Sequence, residues 1–257
     1  MIIQKETTYT PTGAKRGLHI YLPDNYDETD KRYPVLYFFD GHNLFYDECA
    51  TFGRSWRLQS FLWTWDKDII IVGIECGHEG DERLNEYQPY HHKTGPFAKF
   101  EGIGDSTIKW IINDLKPEID SELRTLPDRE NTGIAGSSMG GLMALYGVMK
   151  YNDTFSKAAC VSPAVSSSLI AVRKDADAFS PSGDTRVYIS WGTKEAAGIK
   201  DDTKEDKSST TYRNNKSVAN KLEKKGAQVE LVSQVGGGHN EESWGAQVSD
   251  FMNFLWA

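Results

Sequence analysis

Short apolar runs rich in β-branched and aromatic residues alternate along this chain with longer segments of helical period, and that alternation limits the fold more than any other feature. "GLHIYLP" (17–23), "YPVLYFFD" (33–40) and "DIIIVGIE" (68–75) are too short for buried helices and read as strands. Over 105–123, Ile108, Ile111, Ile112 and Leu115 recur at helical spacing. "NTGIAG" (131–136), a helix from Met139, "KAACVSP" (157–163), "TRVYISWG" (185–192), the polar helix "SVANKLEKKGA" (217–227), "QVELVSQV" (228–235) and the closing helix "WGAQVSDFMNFLW" (244–256) continue the pattern. Strands joined through helices pair in parallel with right-handed crossovers, so the predicted class is α/β: a mostly parallel central sheet with helices on both faces. The first three strands have no helix between them and are expected to form an antiparallel meander at the N-terminal edge.

The chain has 257 residues, with neither an internal repeat nor a recognisable linker, and reads as a single domain over 1–257. Its net charge of -8 argues against nucleic acid or an anionic membrane surface as the main partner, because its overall field would repel both. No stretch approaches the ~18 apolar residues of a membrane span. The opening "MIIQKETTYTPTGAKRG" lacks the roughly 7–15 residue apolar core of a signal peptide. Cys49, Cys76 and Cys160 are odd in number and form no CxxC pair, which suits a reduced, cytoplasmic protein. One tract is biased, "KEAAGIKDDTKEDKSSTTYRNNKS" (194–217), and reads either as a solvated loop entering a helix or as a flap beside a binding site. The sequence does not specify an oligomeric state.

Glycine is concentrated where one strand becomes a helix. "TGIAGSSMGGLMALYGVMK" (132–150) crowds four glycines, Gly133, Gly136, Gly140 and Gly141, around two serines, at a cost of roughly 0.5–1 kcal/mol each inside regular structure. Gly136-Ser137-Ser138-Met139-Gly140 matches G-x-S-x-G, with a strand before it and a helix after it, which is the setting of a nucleophile elbow. There a serine is lifted above the carboxyl edge of the sheet, and Gly136, Gly140 and Gly141 let strand and helix approach. Ser138 is the predicted nucleophile and Ser137, at the first x, its rival. The Met139 N–H, at the helix N-terminus, is placed to join an oxyanion hole.

A serine hydroxyl needs a base near neutral pH. His239, in "SQVGGGHNEESW", lies between a strand and the last helix, and no other histidine follows residue 92. The chain order serine, acid, histidine therefore selects His239. Adjacent His91 and His92 lack a spacing that brings two rings to one metal, and no metal or organic cofactor is expected. The acid should follow the strand "TRVYISWG"; Glu195 has the shortest reach, with Asp201 and Asp202 as alternatives. A second oxyanion donor is expected from Gly41, His42 and Asn43 in "YFFDGHNLFYDE", where Asp40 or Asn43 can brace the turn.

Together, "YLPDNYDETDKRYPVLYFFDGHNLF", "RLNEYQPY", "DRENTGIAGSSMGGLMALYGVMKYNDTFSKAACVSPAV", "WGTKE" and "GGGHNEESW" resemble the esterase D or putative esterase family of α/β hydrolases, in order and over nearly the whole chain. The resemblance implies an α/β-hydrolase fold, Ser138 as nucleophile, His239 as base and Glu195 as acid, although the family's acid is often aspartate. It implies oxyanion donors from Met139 and the Gly41–Asn43 loop, and a rim that includes Arg83, Glu86 and Tyr87. Trp56, Tyr87, Tyr90, Trp191 and Trp244 fall in or beside loops at the presumed active edge, where flat rings suit sugar faces or phenolic acids; Trp56 and Trp244 are candidate substrate contacts. The implied substrate is a small-molecule ester, such as an acetyl or hydroxycinnamoyl ester of a sugar. An acyltransferase, a thioesterase of the S-formylglutathione hydrolase kind and a non-catalytic binding module on the same fold are the alternatives.

Overall fold

The strands follow from the apolar runs, and their pairing is described by a computed structural model that covers residues 1–257 apart from the side chain of Pro96. The chain divides into two compact units, Met1–Ile134 and Ala135–Ala257. It has the α/β-hydrolase fold class expected, a mostly parallel mixed sheet of eight strands flanked by helices.

In the first unit, β1 (Ile2–Tyr9) and β2 (Ala14–Tyr21) form an antiparallel hairpin that turns through Gly13 at φ 78°. β2 runs antiparallel to β4 (Ile70–Ile74), with Leu18 opposite Ile74. β3 (Val35–Phe39) instead lies parallel to β4, in register from Val35 and Ile70 to Phe39 and Ile74. The expected meander is therefore corrected in two respects. β1 is an additional strand, and β3 joins β4 through a crossover containing α1 (Leu58–Leu62), long enough to bring the chain back in the same direction. β3 and β4 are buried throughout, as strands covered on both faces must be.

After α2 (Glu82–Glu86) comes the helical run foreseen over 105–123, composed of α3 (Gly104–Trp110), a π turn (Ile111–Leu115) and α4 (Lys116–Glu122). Pro117 has no N–H to offer the preceding turn, which explains why the ladder widens just before it. Ile108, Ile111 and Leu115 are buried. β5 (Thr132–Ser137) carries the chain across the division between the units.

The second unit contains α5 (Met139–Lys150), β6 (Lys157–Val161), α6 (Leu169–Ala178), β7 (Arg186–Gly192), α7 (Thr210–Lys224), β8 (Gln228–Gln234), α8 (Glu241–Gly245) and α9 (Val248–Leu255). β7 pairs in parallel with both β6 and β8. Side chains alternate along a strand, so Tyr188 and Trp191 point to opposite faces. Tyr188 meets Phe251 of α9 at 6.0 Å between ring centroids, and Trp191 meets Tyr212 of α7 at 6.2 Å, which places helices on both faces of β7. The closing helix is interrupted at Gln247, whose side chain donates to Gln234 Oε1 (3.0 Å) and accepts from the Tyr188 hydroxyl (3.2 Å). Every residue of α5 except Lys150 is buried, and each fully buried Leu or Val there contributes about 1.5–3 kcal/mol. No helix among the described residues is long and apolar enough to cross a membrane.

Candidate active site

The glycine cluster at the end of β5 serves a close backbone approach. A Cβ on Gly136 would lie 2.6 Å from the Gly140 carbonyl carbon, and one on Gly141 would lie 2.8 Å from the Val161 oxygen. Between them Ser138 adopts φ 57°, ψ -119°, a conformation that L-residues avoid and that costs of order 1–3 kcal/mol unless its surroundings hold it. They do hold it: the Ser138 N–H donates to the Val161 carbonyl at 3.0 Å, and the Ser138 carbonyl accepts from Leu142 and Ala164, each at 3.0 Å. Met139 opens α5, so its N–H belongs to the first turn, where a helix leaves donors without internal acceptors.

His239 arrives by an equally tight approach. A Cβ on Gly192, the last residue of β7, would collide with the Gly237 carbonyl; the Lys194 N–H donates to that same carbonyl at 2.9 Å. The loop leading to His239 is thus fastened to the end of β7. Just beyond it, Asn240 caps α8 by accepting from the Ser243 N–H at 2.9 Å. His239 Nε2 lies 3.0 Å from the Ser138 hydroxyl oxygen, and Nδ1 is hydrogen-bonded to Glu195 Oε2. With Nδ1–H donating to the carboxylate, Nε2 is left as an acceptor facing the Ser138 hydroxyl.

Of the three candidate carboxylates, Glu195 is the one that reaches this histidine. Its other oxygen, Oε1, accepts from the Gly192 N–H (2.7 Å) and from the Ser162 hydroxyl. Burial alone would push the carboxyl above its ordinary range, but the bonds from His239, Ser162 and Gly192 outweigh it and hold the group below. Asp201 is instead exposed and paired with Lys204 at 2.8 Å, while exposed Asp202 offers its backbone carbonyl to Thr193.

Ser162 carries no local motif and was missed in the sequence. It follows β6 in "CVSP", is buried, and has φ 44°, a second non-glycine residue held in the left-handed region within this unit. Its hydroxyl accepts from Trp244 Nε1 at 3.0 Å while donating to Glu195, and the Trp244 ring meets His239 edge to face at 4.9 Å. Trp244, expected as a substrate contact, is buried, with its indole N–H given to Ser162 and its ring packed on His239.

In the first unit, Asp40 sits at φ 59°, and Gly41–Asn43 follow as a 3₁₀ turn closed by the Asn43 N–H on the Asp40 carbonyl (2.9 Å). Gly41 is obligatory because a Cβ would collide with the Gly73 carbonyl of β4. Arg83 clamps the Asp40 carboxylate through Nε and Nη2 at 2.7 and 2.8 Å, and the Tyr87 hydroxyl accepts from the Asp40 N–H at 3.3 Å. Glu86 is buried against Arg16 at 2.5 Å and accepts from the Gly77 N–H at 2.8 Å. Trp56 is buried against Phe38 at 5.0 Å. Arg83 and Tyr87 thus brace the Asp40 turn, and Glu86, Tyr87 and Trp56, expected at the rim or in contact with substrate, are buried.

The biased tract 194–217 is a loop entering a helix, the first of its two readings. Buried Asp206 accepts from Trp191 Nε1 at 3.0 Å and from the Ser209 N–H at 2.9 Å, and Ser209 caps α7 through the Tyr212 N–H. That hydrogen bond and the Tyr212 contact also account for Trp191.

Residues 10–255 match the family described as "Putative esterase", and the chain belongs to that family of ester-hydrolysing enzymes. It is 31% identical over 150 residues to the esterase MT1326 of Mycobacterium tuberculosis, a match covering 57% of this chain and 28% of that protein. Among solved structures, it resembles an IroE-like serine hydrolase from Shewanella oneidensis with a TM-score of 0.75 at 22% identity, covering 98% of this chain and 79% of the other. It resembles the enterobactin esterase Fes from Shigella flexneri with a TM-score of 0.72 at 17% identity, covering 100% and 59%. At these identities the two structural likenesses establish the fold.

Proposed function

We propose that the chain, as one hydrolase domain over 1–257, is a serine carboxylesterase that works through an acyl-enzyme. The observation that carries this reading is the 3.0 Å approach of His239 Nε2 to a Ser138 hydroxyl on a strained elbow, with Nδ1 bound to Glu195. As Ser138 Oγ bonds to the ester carbonyl carbon, its proton passes to His239 Nε2. Glu195 holds the ring in the required tautomer and stabilises the imidazolium. The tetrahedral oxyanion is held by the Met139 N–H and, on the family resemblance, by donors of the Gly41–Asn43 turn. Collapse breaks the bond to the alcohol oxygen, which takes the proton from His239. Water then repeats the sequence, releasing the acid and restoring Ser138.

The substrates are small-molecule carboxylic esters. Acetyl and hydroxycinnamoyl esters of sugars come from the family resemblance, and the likeness to an enterobactin esterase adds enterobactin to the set. Three free thiols, Cys49, Cys76 and Cys160, suit a reducing compartment and favour the cytoplasm.

The test is pre-steady-state hydrolysis of an activated aryl acetate. The native protein should show a burst of aryl alcohol, and Ser138→Ala should abolish both burst and turnover; undiminished turnover would overturn the proposal. Ranking aryl esters, acetylated and feruloylated sugars, enterobactin and a formyl thioester by kcat/KM then assigns the substrate class, and added acceptor alcohols reveal any acyl transfer.

A further inference from the structure

The first unit contains a cluster of side-chain donors that the ester hydrolysis proposed above, which draws only on backbone N–H groups of the Gly41–Asn43 turn, does not use. His42, Cys76 and His78 bring one ligating atom each to within 4.8 Å of one another. His42 is buried in the Gly41–Asn43 turn, Cys76 is a buried free thiol just past β4, and His78 is exposed two residues further on.

Two features distinguish this cluster from a chance meeting. His42 is only 6% exposed, and its Nδ1 is buried without any hydrogen-bond partner, which is costly for a polar atom. The far nitrogen of each ring is also already held. His42 Nε2 is bonded to Thr51 Oγ1 at 2.9 Å, and His78 Nε2 to Glu75 Oε2 at 3.3 Å. This is the outer arrangement of metal-ligating histidines, in which a hydroxyl or carboxylate on one nitrogen fixes the ring and leaves the other nitrogen to the metal. Glu75 is itself fixed by His19 at 2.7 Å.

We propose that His42 Nδ1, Cys76 Sγ and His78 Nδ1 bind a borderline-soft divalent cation, Zn²⁺ being the best fit to a two-imidazole, one-thiolate set. The Cys76 S–H bond breaks as the sulfur–metal bond forms, and the proton leaves to solvent. Metal–ligand bonds of ~2.0–2.3 Å require the donors to close to roughly 3.3–3.6 Å, and exposed His78 is the ligand free to make that movement. Water fills the fourth position. The ion would tie the turn bearing His42 to the segment after β4, without involving Ser138, His239 or Glu195.

The experiment titrates chelator-treated full-length protein with Zn²⁺ against a chromophoric chelator and, separately, with Co²⁺ while recording absorption. The expected result is one ion per chain and a near-ultraviolet thiolate-to-cobalt band. Cys76→Ser should remove the band, and Cys76→Ser and His78→Ala should each weaken Zn²⁺ binding by at least about tenfold. His91→Ala, outside the cluster, should leave both unchanged. Circular dichroism confirms that each variant is folded, and His78→Ala, on an exposed side chain, keeps the test available should Cys76→Ser fail to fold. Failure to bind one ion per chain, or binding unaffected by His78→Ala, would overturn the proposal whatever the esterase assays show.

Discussion

Ser162 and Trp244, 82 positions apart, are joined by a 3.0 Å hydrogen bond from the indole nitrogen to the serine hydroxyl, and that hydroxyl in turn donates to Glu195. Behind the serine, histidine and glutamate therefore stands a buried support that fixes the carboxylate from the side away from His239. Ser162→Ala should remove the hydroxyl that accepts from Trp244 and donates to Glu195, costing about 1–3 kcal/mol of stability. It should also lower kcat roughly tenfold with little change in KM, because a displaced acid misorients the base rather than the substrate. Trp244→Phe keeps a ring and loses only the N–H, so its loss should be smaller; steady-state kinetics and urea denaturation read both.

The choice of acid is testable by charge-neutral substitution. Glu195→Gln retains the shape but cannot stabilise the imidazolium, and should reduce kcat by about 10³–10⁴-fold. Asp202→Asn, on an exposed residue whose backbone carbonyl makes the contact with Thr193, should leave kcat unchanged. Parallel rate measurements at one pH decide between them.

Ser138 exchanges stability for geometry. At φ 57°, ψ -119° a glycine is unstrained, so Ser138→Gly should be about 1–3 kcal/mol more stable than Ser138→Ala, although both are inactive. Urea midpoints of the two variants check the difference. Equal midpoints would show that the elbow stores no strain.

The carboxyl of Glu195 sets a direction for acid stability. Its value in the folded protein lies below the ordinary 4.5, so its ionised form contributes stability that is fully present above that value and is lost as pH falls through the folded one. The native protein should therefore be more stable than Glu195→Gln at neutral pH, with the gap closing below about pH 4.5. Thermal midpoints between pH 7 and pH 3 read the gap.

The meeting of Ser138, His239 and Glu195 was legible because each piece carries a local signal. The glycines bracket Ser138, the late histidine has no competitor after residue 92, and Glu195 stands within a few residues of a strand end. Partners brought together only by the fold left no such mark. Arg83 and Glu86 read as rim residues because the charges that pair with them, Asp40 and Arg16, lie 43 and 70 positions away. Ser162 looks like any serine before a proline, and the cluster of His42, Cys76 and His78 forms only when the turn after β3 meets the end of β4. β1 was overlooked for a different reason: Tyr9 is its only fully buried residue, so its burial pattern is too weak to announce an edge strand. The parallel pairing of β3 and β4 was hidden because α1, five residues long, is too short to show a helical period.

The most direct measurement is peptide mapping by mass spectrometry after treatment with a fluorophosphonate probe. The account predicts one adduct per chain, on the Ser138 hydroxyl, lost in Ser138→Ala and strongly slowed in His239→Ala. An adduct on Ser137, or labelling that is indifferent to His239, would contradict it.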